Sequence, residues 1–426
     1  ADTLYLSSTA IANSGLFDVQ GNLNLNYYSG SQPSFTNTGT VQVATGKTLT
    51  LGSIALVNNG GTLNAAAGAT INYGGGSAIF NNGTVFGGAG THLVTNNASF
   101  FGSFTAQNLA LQSGTFTGGD GVTPGSQAVL NGHVAFTGGQ LTGNWQVAPG
   151  QTLTAKDGSS KFIANATLTN QGTLAWQSGD TAYLSSSTLI NQGKVDLQSD
   201  ALMQYYSGSQ PAFVNSGLLV KSAGTGTSNL STVVLSNTGT IEVQTGTIHL
   251  PDIFANAGAL TGTGTLQSSA LTNDGHVAPG SGIGTLTLAG NYQQSALGFL
   301  DTQLQNPTSS DLFLVSGNAT LGGTLALRCF SNCSFAVGDE VVILDATGSL
   351  AGTFANVTLD GFKTGAFTVV YDLAGSRVLL DVTQAVTAAV PEPQTWALLL
   401  AGLGVVGFTA RRRGGNRTPQ AGFRRF

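Results

Sequence analysis

Short bursts of alternating apolar and polar residues run along most of this chain, separated by corners of Asn, Ser, Thr and Gly. In Thr40-Val41-Gln42-Val43 the two valines share one face and Gln42 takes the other, because side chains alternate along a strand. The burst follows Asn37-Thr38-Gly39, and a second corner at Gly46 leads to Thr48-Leu49. The Asn-x-Gly phrase returns at Asn13, Asn58, Asn81, Asn170, Asn191, Asn215, Asn237, Asn256 and Asn273. Its intervals are 24, 21 and 23 residues early on, then 21, 24, 22, 19 and 17 later. A period near 20 without helical spacing inside it predicts a solenoid whose turns are strands. One turn cannot bury its apolar face, whereas stacked turns can. The pattern therefore predicts an all-β chain folded as a right-handed parallel β-helix. Gly39 is expected to supply a positive φ at its corner, and Asn37 to turn its amide onto nearby backbone.

A larger repeat is laid over the small one. Residues 1–48 and 179–226 match at an offset of 178, with Tyr5-Leu6-Ser7-Ser8 returning as Tyr183-Leu184-Ser185-Ser186. The block Tyr27-Tyr28-Ser29-Gly30-Ser31-Gln32-Pro33 recurs unchanged as Tyr205-Tyr206-Ser207-Gly208-Ser209-Gln210-Pro211. Paired rings beside Ser, Gly and Gln could stack on sugar faces, which makes Tyr27, Tyr28, Tyr205 and Tyr206 candidate glycan contacts. A repeated turn would also reproduce itself when rungs duplicate, and one Tyr of each pair must then point inward. The solenoid is expected over 1–290. Terminal rungs and a β-rich cap over 291–385 would close its open edge, which would otherwise template aggregation. A linker and tail occupy 386–426. From Ala278-Pro279-Gly280 through Asp311-Leu312-Phe313 to Leu321-Gly322-Gly323-Thr324-Leu325, the order of phrases resembles the last rungs of autotransporter passenger domains, secreted β-helices of Gram-negative bacteria.

Composition changes the picture in one respect. Only 8% of the residues are charged, against about 25% in ordinary globular domains, so Asn, Gln, Ser and Thr must make the surface. Six of the 14 basic residues fall in the last sixteen positions, leaving 8 basic and 18 acidic side chains in residues 1–390. That balance sets nucleic acid aside as a partner. Cys329 and Cys333 could close a small hairpin disulfide in a secreted chain. The start at Ala1 without Met fits a mature protein that has lost a secretory signal peptide.

The tail carries the most specific signal. Val390-Pro391-Glu392-Pro393 precedes a 15-residue apolar run from Trp396 to Ala410, and Arg411-Arg412-Arg413 follow. The run is short for a spanning helix, which needs about 20 residues, although Trp396 and the arginines suit the two interfaces. Motif, apolar run and basic stop in that order resemble the PEP-CTERM sorting signal. The resemblance implies recognition by exosortase, a membrane protease-transpeptidase, with the arginines on the cytoplasmic side and the protein released outward. Gly402-Leu403-Gly404-Val405-Val406-Gly407 spells a dinucleotide fingerprint, but it lies inside this apolar run with no preceding strand.

Catalysis finds little support. Glycoside hydrolysis wants two carboxylates facing one cleft. Asp18, Asp196 and Glu242 occupy the outward positions of their strands and are expected on a solvated face. Asp339, Glu340 and Asp345 cluster in the cap, with Gly338-Asp339 as a turn into a strand. His92, His133, His249 and His276 have no metal-ligand spacing, and no Ser has a nucleophile-elbow context. No catalytic, cofactor or metal residue is assigned. Asn97, Asn165 and Asn318 have the form of glycosylation sequons and read as turn chemistry.

The sequence thus describes a non-catalytic, secreted or surface-displayed structural or adhesive rod of a Gram-negative extracellular matrix or biofilm. At about 4.8 Å per rung, some fifteen turns would span roughly 70 Å. Its partners would be exosortase and extracellular polysaccharide. Membrane contact would be confined to the tail, transient or permanent in the inner membrane. A carbohydrate-active β-helix enzyme is one alternative. An autotransporter-like adhesin is another, needing membrane-barrel strands about ten residues long, for which no room is seen after Val382.

Overall fold

Every regular element of the computed structural model is a strand, and it describes residues 2–119 and 126–386. The strands stack in three parallel ladders. The first opens with Asp2–Ser7 on Leu23–Ser29 on Thr48–Leu51. The second opens with Ala10–Asn13 on Ser34–Asn37 on Ala55–Asn58, and the third with Leu16–Val19 on Thr40–Val43 on Thr62–Ala65. One strand from each makes a turn, and about 15 turns form a right-handed solenoid. The helix expected over Trp396–Ala410, with the linker and sorting motif before it, lies outside the described residues.

Alternation fills the shaft. Val41, Val43, Leu49 and Leu51 are buried while Gln42 is half-buried on the outer face. The buried asparagine amide nitrogens are paired between turns, as most buried polar groups are. Asn13 Nδ2 donates to Asn37 Oδ1 (2.8 Å), and Asn37 to Asn58 (2.6 Å). A longer run links Asn170, Asn191, Asn215, Asn237, Asn256 and Asn273 at 2.7–2.8 Å per step. Each amide also donates to main chain, as Asn215 does to Thr240 O at 3.1 Å. The Asn-x-Gly phrase therefore makes bonds between turns as well as within one. The first run lies on the second ladder and the longer run on the third, and past Asn58 the earlier column changes character. Phe80, not Asn81, stands on Asn58, and Phe100 stands on Phe80. Tyr73, Phe80, Phe86, Phe100, Phe104 and Trp145 then pack ring to ring, with neighbouring centroids 4.8–6.5 Å apart.

The glycine of the phrase does a different job from the one expected. Gly39 does not adopt a positive φ; a Cβ there would lie 2.2 Å from Gly15 O. The same holds down the later column, where Gly217 meets Gly193 O at 2.2 Å and Gly239 meets Gly217 O at 2.2 Å. Bare backbone lets successive corners touch. Positive φ belongs to the second corner, as at Gly46 (φ 68°) and Gly150 (φ 73°), and within the phrase to Gly60 (φ 71°) and Gly83 (φ 85°).

Ladder membership also locates the duplication. Tyr5 lies on the first ladder, but its repeat Tyr183 lies on the second, which descends from Ala10–Asn13 through Ser34–Asn37 and Ala55–Asn58 to Lys161–Asn170 and Ala182–Ser185. The offset of 178 residues thus equals eight turns and one further face. At the C-terminal end parallel stacking continues to Asn356–Asp360. Glu340–Ala346 pairs in parallel with Leu312–Val315 and antiparallel with Arg377–Val382, which also pairs with Phe367–Asp372. This hairpin covers the open edge of Glu340–Ala346, the last strand of the second ladder.

Just before the cap, Asp311 is buried between turns. Its Oδ1 accepts from Gly284 N (2.8 Å) and its Oδ2 from Gln303 N (2.7 Å). Burial pushes its pKa from 3.8 up to about 7, against the pull of those two bonds. The folded state then holds this proton more tightly than the unfolded chain does, so stability falls as pH rises from about 4 to 7 and levels off above. Thermal unfolding followed across that range should show the decline, and Asp311→Asn should flatten it. An unchanged slope in the variant would refute the assignment.

Candidate functional site

The duplicated tyrosine loops are built by a bulge. Leu6 pairs with Tyr27 and Ser7 with Ser29, so Tyr28 is an extra residue; Leu184, Tyr205, Ser185 and Ser207 repeat this around Tyr206. Tyr27 and Tyr205 keep the inward register positions of Leu6 and Leu184, as expected for one ring of each pair, but neither is buried, and the inserted Tyr28 and Tyr206 are the more exposed. Tyr27 and Tyr28 are 37% and 71% exposed, and Tyr205 and Tyr206 are 38% and 62% exposed. Each loop closes in the same way, with Tyr27 Oη donating to Gly30 O and Tyr205 Oη to Gly208 O, both at 2.6 Å.

The exposed rings gather others the sequence reading missed. Tyr28 meets Tyr5 edge-on, with centroids 6.0 Å apart. Tyr206 meets Tyr183 at 5.3 Å and Phe162 at 5.9 Å, and Phe162 stacks on Tyr183 at 5.0 Å. Phe162 and Tyr183 are register neighbours on the outer face of the second ladder. The repeated Tyr-Leu-Ser-Ser phrase was the available signal for Tyr5 and Tyr183. Phe162 had none, because its contact depends on the register between turns.

The acids are placed less favourably for chemistry. Asp18 is exposed and accepts from Gln20 Nε2 at 2.7 Å. Asp196 and Glu242 share one outward column with Val220 between them. Asp196, however, does not lie on a solvated face: it is 4% exposed. Lys194 and Gln198 bond its Oδ2, both at 2.9 Å, and Ser222 Oγ donates to its Oδ1 at 2.5 Å. Burial alone would raise its pKa, but these donors outweigh that and hold it below the ordinary value, so it stays an anion rather than a proton donor. Two shallow troughs of about 390 and 540 Å³ meet at Ala110 on the first ladder, flanked by His133, Lys156 and Asp157. Neither contains Asp18, Asp196 or Glu242.

The histidines serve separate contacts. His92 is buried, with Nδ1 3.0 Å from Tyr73 Oη and Nε2 2.9 Å from Gly87 O, and burial lowers its pKa. His276 Nδ1 lies 2.7 Å from Asp301 Oδ2. Among the described residues no group of three or more His, Cys, Asp or Glu could hold a metal ion. In the cap, Ala336 N donates to Asp339 Oδ2 (2.7 Å), while Glu340 begins a strand. Asn97 accepts from Thr115 N, Asn318 from Ser349 N, and Asn165 takes a φ of 50°. Cys329 and Cys333 form a disulfide.

Two lysines point into the shaft, and the sequence reading passed over both. Lys161 Nζ meets Asp180 Oδ2 (3.2 Å), Ser178 Oγ (3.1 Å) and Ser159 O (3.0 Å). Lys221 Nζ meets Asp200 Oδ1 (2.8 Å), Ser228 Oγ (3.0 Å) and Ser199 O (3.1 Å). Both side chains are fully buried, and each ammonium has three acceptors, which matches its three donors.

Geometry defines the class as a parallel β-solenoid with a polar surface and repeated exposed aromatic loops. Its destination is written in the tail. Residues 389–413 match the family model of the PEP-CTERM protein-sorting motif. The chain thus carries a sorting signal that implies exosortase-dependent export and membrane-associated sorting. Val390 to Pro393, Trp396 to Ala410 and Arg411 to Arg413 lie within the match but outside the described residues, as does the glycine-rich phrase at 402–407. A search of curated proteins finds no match to this chain.

Proposed function

We propose that this protein is a non-catalytic structural or adhesive rod of a Gram-negative extracellular matrix or biofilm, delivered by its sorting tail and contacting neutral polysaccharide through its tyrosine loops. The observation that carries the reading is the twofold occurrence of the same solvent-facing loop with a second layer of rings beneath it. Aromatic rings with polar tips suit interfaces where one side is apolar and the other wet, and pyranose rings offer C–H faces bordered by hydroxyls. The amide- and hydroxyl-rich surface adds hydrogen-bonding partners without strong charge. A non-catalytic role is favoured because Asp196 is locked as an anion and the troughs lack the paired acids that glycoside hydrolysis requires.

The protein should be retained on an immobilised β-1,4-glucan and released by soluble oligosaccharide. Passage through the column without retention would sink the sugar contact. The intact mass of the protein recovered from cell surface and medium should show a species ending near Pro391, as expected if exosortase removes the tail. A full-length species confined to membranes would instead make it a tethered adhesin.

A further inference from the structure

We infer that the two aromatic clusters are separate binding sites for two different polysaccharide chains, so that the rod cross-links polymer. This rests on the sugar-contact reading above and adds its valence and geometry. Had the duplication spanned whole turns, Tyr28 and Tyr206 would face the same side and could line one strand of glycan. It spans eight turns and one face. Tyr5 and Tyr28 therefore belong to the first ladder, whereas Phe162, Tyr183 and Tyr206 belong to the second. At about 4.8 Å per turn the clusters are roughly 40 Å apart along the axis, and they look out from different sides of the shaft.

The clusters are also distinct as surfaces. Cluster one is an edge-to-face pair, while cluster two adds Phe162 stacked within 22° of parallel to Tyr183. Both rise from turns fixed by the same bonds: Ser31 N donates to Ser8 Oγ, and Ser209 N to Ser186 Oγ, each at 2.9 Å. Neither loop carries a charged residue between Tyr27 and Pro33 or between Tyr205 and Pro211. The occupant this fits is an uncharged chain of equatorially substituted pyranoses, whose flat C–H faces stack on rings and whose hydroxyls reach the flanking Ser and Gln. A rigid shaft holding two such sites apart gains avidity only where both can be engaged. A network of chains supplies that condition.

The test uses the full chain, cellohexaose and soluble hydroxyethyl cellulose. Calorimetry with cellohexaose should find two sites in the natural protein. One should remain in Tyr5→Ser/Tyr28→Ser and one in Tyr183→Ser/Tyr206→Ser, with the surviving affinity within about twofold. With the polymer, the natural protein should raise viscosity sharply. Each single-cluster variant should still bind but form no network, its apparent affinity falling about 100-fold. Unchanged unfolding midpoints would show that these surface changes leave the fold intact. A single-cluster variant that still forms the network, or one site in the natural protein, overturns the inference while leaving sugar contact standing. No binding by the natural protein to either probe overturns both.

Discussion

Gly217→Ala should destabilise the solenoid by about 3 kcal/mol or more, at or above the upper end for overpacking, while Gly15→Ala, at the head of the earlier glycine column, should be nearly neutral. The added methyl at Gly217 would sit 2.2 Å from Gly193 O and 2.8 Å from Gln192 C, both main-chain atoms of the preceding turn. Gly193 O cannot simply yield, because it accepts from Leu218 N at 2.8 Å. Moving it lengthens a ladder bond and separates two turns. Gly15 heads the earlier column, one corner round the shaft, and has nothing within 4 Å of the same methyl. Since each turn of a solenoid contacts only its neighbours, the damage should be local. Amide exchange should accelerate around Asn191 to Asn215 and leave the cap protected. Equal midpoints for the two variants would show that the column is not a steric contact.

That contrast also marks what could be read from the residues. Val41-Gln42-Val43 announces a strand with an inner and an outer face, and ten Asn-x-Gly phrases announce stacking, because both are local patterns repeated at one period. The role of Gly39 is not legible in the sequence, because a positive φ is a property of one corner, whereas its contact with Gly15 O belongs to two. The bulge at Tyr28 was hidden for the same reason: it exists only in the pairing of Leu23–Ser29 with Asp2–Ser7. Asp196 looked solvated from its alternation, yet Ser222 reaches it from the next turn. The sorting tail was legible because its order of motif, apolar run and arginines is linear in sequence.

Lys221 shows the same limit and gives the sharper energetic test. It stands at the inward position held by Leu197 one turn before and Val243 one turn after. Replacing Asp200 by Ala should cost about 2–3 kcal/mol, because it strands an ammonium among neutral acceptors. That is below the usual range for breaking a buried pair, since Asp200 is half-exposed and water can reach its place. Lys221→Met should cost no more than about 1 kcal/mol, since well-packed apolar replacements of buried ions are often neutral. No polar group is orphaned by it: Ser228 Oγ already donates to Ser199 O at 3.0 Å, and Asp200 keeps Gly226 N at 3.1 Å. The double variant Asp200→Ala/Lys221→Met should then be about as stable as Lys221→Met alone, a coupling of roughly 2 kcal/mol in a denaturant cycle. If the two single costs simply add, the lysine is not held by that carboxylate, and Ser199 and Ser228 are sufficient to keep it inside.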